Sequence, residues 1–121
     1  MSEILDAVHF NMVRKLREAR DRKVFSIFTW NRLGFDADQV SQTRILGLLV
    51  TAQSGGIPLG GISWRLANNN WTVITALNVP GIFTAMQTHI QTQFAIFASH
   101  ESIINSMTDP DSVVAYNVEV F

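Results

Sequence analysis

Apolar side chains recur at helical spacing near the start of the chain. Leu5, Val8, Met12, Leu16 and Ala19 put one apolar face on residues 3–22, and Arg14, Lys15, Arg17, Glu18, Arg20, Asp21, Arg22 and Lys23 make the opposite side charged. The stretch contains no Gly or Pro, and its basic last turns suit the negative end of a helix dipole. The pattern then changes. Val24–Trp30 is β-branched and aromatic and predicts a strand, Asn31–Gly34 a turn with Gly34 free to take positive φ, and Phe35 the start of a short return strand. Asp38 is placed to cap a helix over 39–53, where Ile45, Leu48, Leu49 and Ala52 form a buried stripe and Ser54-Gly55-Gly56 ends it.

A glycine-rich loop, residues 54–61, precedes the clearest hairpin. Ile62–Leu66 and Trp71–Thr75 flank a turn over Ala67-Asn68-Asn69-Asn70, with Ile62, Trp64 and Leu66 on one face and Ser63 and Arg65 on the other. Asn78 is expected to cap a helix with Pro80 in its first turn. Ile82, Met86, Ile90, Phe94 and Phe97 give that helix a long apolar stripe. It runs to Met107, either continuously or with a break at Ser99, and Asp109-Pro110-Asp111 stops it. Tyr116–Phe121 alternates Val118 and Val120 against Asn117 and Glu119 and predicts a last strand. The order implies an α+β fold: a small, mostly antiparallel sheet of two hairpins packed against two or three helices, with an N-terminal amphipathic helix. Residues 1–23 read as a docking or oligomerisation helix and residues 24–121 as a single α+β domain.

Composition fits this picture. Of 121 residues, 47% are apolar and 16% charged, the balance of a chain with a real core. The low charge has a second reading, a surface partly covered by a partner. No cysteine is present, which excludes disulfides, thiolate metal sites and cysteine nucleophiles, and fits synthesis in a reducing cytosol. Met1–Asp6 carries early acids without a long apolar core, unlike a signal peptide, and no apolar run approaches the ~20 residues of a membrane span. Charge is polarised along the chain. Residues 1–65 hold nine bases and six acids, a net of +3, and residues 66–121 hold no base and four acids, a net of −4. Such a chain can associate head to tail or present a basic end to an acidic partner.

Candidate chemistry is sparse. His9, His89 and His100 are the only side chains suited to acid/base work near neutral pH. On a continuous helix His89 and His100 stand about 16 Å apart along the axis, too far to share a metal. Asp36 and Asp38 could act as a carboxylate pair, but turn and cap duty explains both more simply. Asp109 and Asp111 read as helix-stop residues. A glycan-cleaving enzyme would need these two pairs to face each other across a cleft. The Gly55-Gly56 and Gly60-Gly61 pairs lack the lysine of a phosphate loop, and Ser41, Ser54 and Ser63 lack the context of a nucleophile. The bases from Arg14 to Lys23 are interrupted by Glu18 and Asp21, which favours a solvated helix face or an acidic protein partner over nucleic acid. The first helix can fold back onto its own core or pack on a neighbouring chain, and the sequence leaves both open.

Gly34-Phe35-Asp36-Ala37-Asp38-Gln39-Val40-Ser41-Gln42, then Ile45-Leu46-Gly47 and Ile62–Asn69, resembles an uncharacterised domain family of tailed phages and prophages. Its marks are a Phe-x-x-Asp-x-x-Ser turn entering a helix and a Trp-x-x-Ala-Asn hairpin, and the resemblance covers about residues 25–115. Members sit in or beside tail-fibre and tail-assembly proteins. The resemblance implies a non-enzymatic structural protein of the virion tail, a tail-fibre or baseplate adaptor made in the host cytoplasm, or else a tail-fibre assembly chaperone absent from the mature particle. It carries over no catalytic residue and no cofactor. The partners expected are other phage tail or fibre proteins and further copies of the chain as a homo-oligomer, with no nucleic acid and no membrane. The contact residues expected are Leu5, Val8, Met12 and Arg17 on the first helix, and Ile57 and Leu59 in the glycine-rich loop.

Overall fold

Asn31 and Arg32 both take left-handed backbone, with φ of 51° and 63°, and this two-residue turn reverses the chain between β1 (Ile27–Trp30) and β2 (Leu33–Asp36). Phe28 pairs with Phe35 across the strands, and their rings stack with centroids 5.2 Å apart. Trp30 meets Phe35 edge-on. The second hairpin joins β3 (Ile62–Arg65) to β4 (Trp71–Ile74). Its turn uses Asn69 at φ 69° and an Asn68 side chain that accepts from the Asn70 amide at 3.0 Å. The computed structural model describes residues 2–121, and Met1, where the sequence reading of the opening begins, lies outside them.

The fold is α+β, with α1 (Ser2–Val24), α2 (Gln39–Gln53), α3 (Val79–Ser106) and α4 (Pro110–Val114) around the two hairpins. It divides into two compact units. One holds residues 24–90, and the other holds residues 1–23 with 91–121. In the first unit Phe28, Phe35, Ile45, Leu48, Ile57, Leu66, Ile74, Val79, Ile82 and Met86 form a buried cluster, so α2 and the first half of α3 cover the inner faces of both hairpins. In the second, Met12, Leu16, Ile104 and Val113 are buried, and Leu5, Val8, Phe97, Tyr116, Val118, Val120 and Phe121 pack around them. The first helix therefore buries its apolar stripe within its own chain, against residues 91–121, with which it shares one compact unit.

Several expectations are refined. The hairpins are two separate two-stranded sheets, joined by a 2.9 Å bond from the Ala67 amide to the Gly34 carbonyl. Gly34 does not supply the left-handed turn; it lies in β2 opposite Thr29, where a side chain would press on Ile27 at 3.3 Å. α3 continues unbroken through Ser99. Asn78 precedes α3, but its side-chain oxygen turns back to the Thr75 amide and hydroxyl at 3.0 and 2.9 Å. Tyr116–Phe121 is not a strand, because its alternating side chains lie on the helices of their own unit and no partner strand is present there.

The cap of α2 is as expected. Asp38 accepts from the Ser41 amide at 2.7 Å, and this bond holds its carboxyl below the ordinary aspartate pKa. Because the folded pKa is the lower one, the charged cap contributes fully above the unfolded value and its contribution is lost as pH falls through the folded value. Asp38→Ala is expected to cost about 1 kcal/mol near neutral pH. Urea denaturation repeated at falling pH should show that gap closing below the ordinary carboxylate range. Gly61 is a stricter requirement. Its φ is +81°, and a Cβ there would lie 2.6 Å from the Ile74 carbonyl oxygen. Gly61→Ala is expected to destabilise by about 2 kcal/mol or more, read from the same denaturation curves.

Candidate partner-binding surface

Register decides which side chains of the second hairpin reach solvent. Ile62 pairs with Ile74 and Trp64 with Thr72, while Ser63 pairs with Val73 and Arg65 with Trp71. Ile74 is in the core, so the alternate set faces outward: Trp71 is 64% exposed and Val73 59%. The Arg65 guanidinium lies 5.6 Å from the centre of the Trp71 ring, which half-covers the indole without hiding it. Gly61 runs beside Val73, and the Gly61 amide closes a turn onto the Pro58 carbonyl at 2.8 Å. That turn carries Leu59, which is fully exposed. Leu59, Val73 and Trp71 thus give this hairpin and its adjoining loop an open apolar surface. Exposed aromatic side chains of this kind are what interfaces enrich.

The six expected contact residues divide. Arg17 and Leu59 are exposed. Ile57 is part of the buried cluster of residues 24–90, and Met12 is buried between α1 and α3 with Leu5 and Val8 packed beside it. A stripe at helical spacing reports burial, and here the chain itself supplies the cover. The open side of α1 instead carries Phe10, Arg14 and Arg17, spaced to share one face, with Phe10 71% exposed. Sequence reasoning missed Trp71, Val73 and Phe10. The signal for the first two was present: once Ile62, Trp64 and Leu66 face inward across a four-residue turn, Arg65 falls opposite Trp71, and the Trp must share its outward side.

Several ionisable groups serve local structure. Asp109 accepts from the Ser112 hydroxyl at 2.8 Å, and Asp38 caps α2. The two expected carboxylate pairs belong to different units. The His9 ring donates to the Met107 carbonyl at 2.8 Å, His89 to the Val24 carbonyl at 3.2 Å, and His100 pairs with the Tyr116 hydroxyl. Arg20 lies over both Phe94 and Phe97, at 4.5 and 4.6 Å, and Arg44 over Trp64 at 4.8 Å. Guanidinium groups laid on rings do not form a basic track for a phosphate backbone. Among the described residues no three His, Asp or Glu side chains come together as metal ligands, and no helix is long and apolar enough to cross a membrane.

One concavity lies between α2 and α3, lined by Gln39, Gln42, Thr43, Leu46, Phe83, Met86 and Gln87. It offers about 180 Å³, less than the usual ~300 Å³ of a small-molecule site, and no lining side chain is ionisable.

The chain belongs to the DUF4376 family, a domain of unknown function whose model matches residues 10–118. The match begins inside α1, so most of that helix is part of the family's domain. No curated protein and no solved structure matches the chain.

If the outward face of the second hairpin is free of structural duty, its substitutions should be nearly silent in stability. Trp71→Ser is expected to cost no more than about 1 kcal/mol, the scale of its cation–π contact, whereas Ile74→Ala should cost about 2–5 kcal/mol. Thermal and urea unfolding of the two variants measure the contrast.

Proposed function

We propose that this member of the DUF4376 family is a non-enzymatic structural protein of a tailed bacteriophage. It acts as a tail-fibre or baseplate adaptor that binds other tail proteins and copies of itself and resides in the virion tail after synthesis in the host cytoplasm. The phage assignment rests on the resemblance of the Gly34–Gln42 turn-helix and the Ile62–Asn69 hairpin to a tailed-phage domain family. The adhesive role rests on one observation: the open surface of Leu59, Val73 and Trp71, with the Arg65 guanidinium beside the Trp71 ring. An apolar face of this kind releases water on meeting a partner, at about 25 cal/mol per Å² buried.

The polarised charge supports association as well. The bases occur only up to Arg65 and four acids follow it, and folding brings the basic α1 together with the acidic residues 91–121, where Arg22 pairs with Glu119. The support from charge is therefore local: the exposed Arg17 on α1 offers a cation to an acidic partner. Arg17 and Leu59 remain contact residues in this reading. Leu5, Val8, Met12 and Ile57 act through the core that holds those surfaces in shape.

Mass spectrometry of purified virions of the encoding phage is the test. The expected result is a fixed number of copies per particle, lost when Leu59→Ser and Trp71→Ser are combined. Virions without the chain would remove the adaptor role. If co-expression then raised the solubility of a tail fibre, the chain would be an assembly chaperone instead.

A further inference from the structure

Residues 116–121 follow α4 and belong to neither a helix nor a sheet. Tyr116, Val118, Val120 and Phe121 pack on the cluster of Met12, Leu16, Ile104 and Val113, and Asn117 and Glu119 face solvent. The Glu119 carboxylate is ion-paired with the exposed Arg22 guanidinium of α1. At the root of the segment the Tyr116 hydroxyl lies 2.5 Å from Nδ1 of His100. Side chains thus seat the segment, and its backbone scarcely takes part. Among the described residues, the Tyr116 amide bonds the Val113 carbonyl at 3.1 Å to close α4, and the Glu119 amide bonds the Asn117 side chain within the segment itself at 3.1 Å. Among the described residues, no backbone–backbone hydrogen bond ties residues 117–121 to the rest of their unit.

We propose that this segment exchanges between two copies of the chain, Tyr116–Phe121 of each seating on the Met12, Leu16, Ile104 and Val113 face of the other. The inference rests on the self-association in the proposed function and names the contact that makes it. Three features carry it. The seat is specific, with alternate apolar side chains and a cation placed for Glu119, so a second copy's segment fits it as well as the chain's own. Exchange breaks no sheet ladder, the exposed Arg22–Glu119 pair is weak in water, and the apolar burial of Tyr116, Val118, Val120 and Phe121 given up on leaving one seat is regained in the other. Exchange also adds something: two segments crossing about a two-fold axis run antiparallel, and their open N–H and C=O groups can pair with each other.

The absence of cysteine gives a clean test on the full chain. Arg22→Cys and Glu119→Cys are prepared separately, mixed at high concentration, and treated with a short bis-maleimide. Both positions are exposed, so neither change disturbs the core. The expected product is a covalent species of doubled mass in the mixture, several-fold above either variant alone. The double variant Arg22→Cys/Glu119→Cys checks that the two sites are within reach. Cross-linking inside the double variant with none between the single variants would overturn the exchange, and so would the absence of cross-linking in both. Light scattering of the unmodified chain separates the failures. A monomer at every concentration sinks self-association itself, whereas a dimer lacking the cross-link sinks only the exchange.

Discussion

The pairing of Ser63 with Val73 and Arg65 with Trp71 decides what this protein shows to its surroundings. A hairpin has two faces, and its side chains alternate between them, so a slip of one residue would carry Trp71 and Val73 into the core and bring Ile74 out. The register is held at both ends. Asn69 takes the left-handed backbone that the turn needs, and Gly61 passes so close to Val73 and Ile74 that no larger residue fits. With the inner face filled by Ile62, Trp64 and Ile74 against the helices, Trp71 and Val73 on the outer face stay exposed, with the Arg65 guanidinium beside the indole. The proposed adaptor role assigns this face to association and depends on it.

The rest of the chain serves to fix that surface. Residues 24–90 keep their own core, built on the Phe28–Phe35 stack and closed by α2 and the first half of α3. Residues 1–23 and 91–121 keep a second core, in which Arg20 bridges to Phe94 and Phe97 and aligns α1 with α3. Polar groups follow the same economy. Asp38, Asn68, Asn78 and Asp109 all hydrogen-bond backbone or side chains within three residues, which shapes turns and helix starts.

Much of this was legible in the residues. α2 spans the stretch marked by Asp38 before it and Gly55-Gly56 after it, because a cap and a left-handed glycine are local requirements that sequence states outright. The α+β class, the second hairpin and α1 to within two residues followed from periodicity. What periodicity does not state is the partner. The stripe of Leu5, Val8 and Met12 and the alternation of Tyr116–Phe121 announced burial correctly, yet the first met its own chain and the second met helices in place of a strand. Gly34 misled for a related reason: glycine marks either a special φ or a close approach, and here the close approach to Ile27 won. The outward face was also inferable, but only by carrying the register across the turn, a step that links residues on two strands.

The central claim is that the outer face of the β3–β4 hairpin is covered by a partner in the assembled particle. Hydroxyl-radical footprinting of Trp71, compared between the isolated chain and the intact virion, addresses it most directly. Strong oxidation of the indole in the isolated chain and marked protection in the particle is the result expected. Equal oxidation in both, with the chain present in the particle, would contradict it.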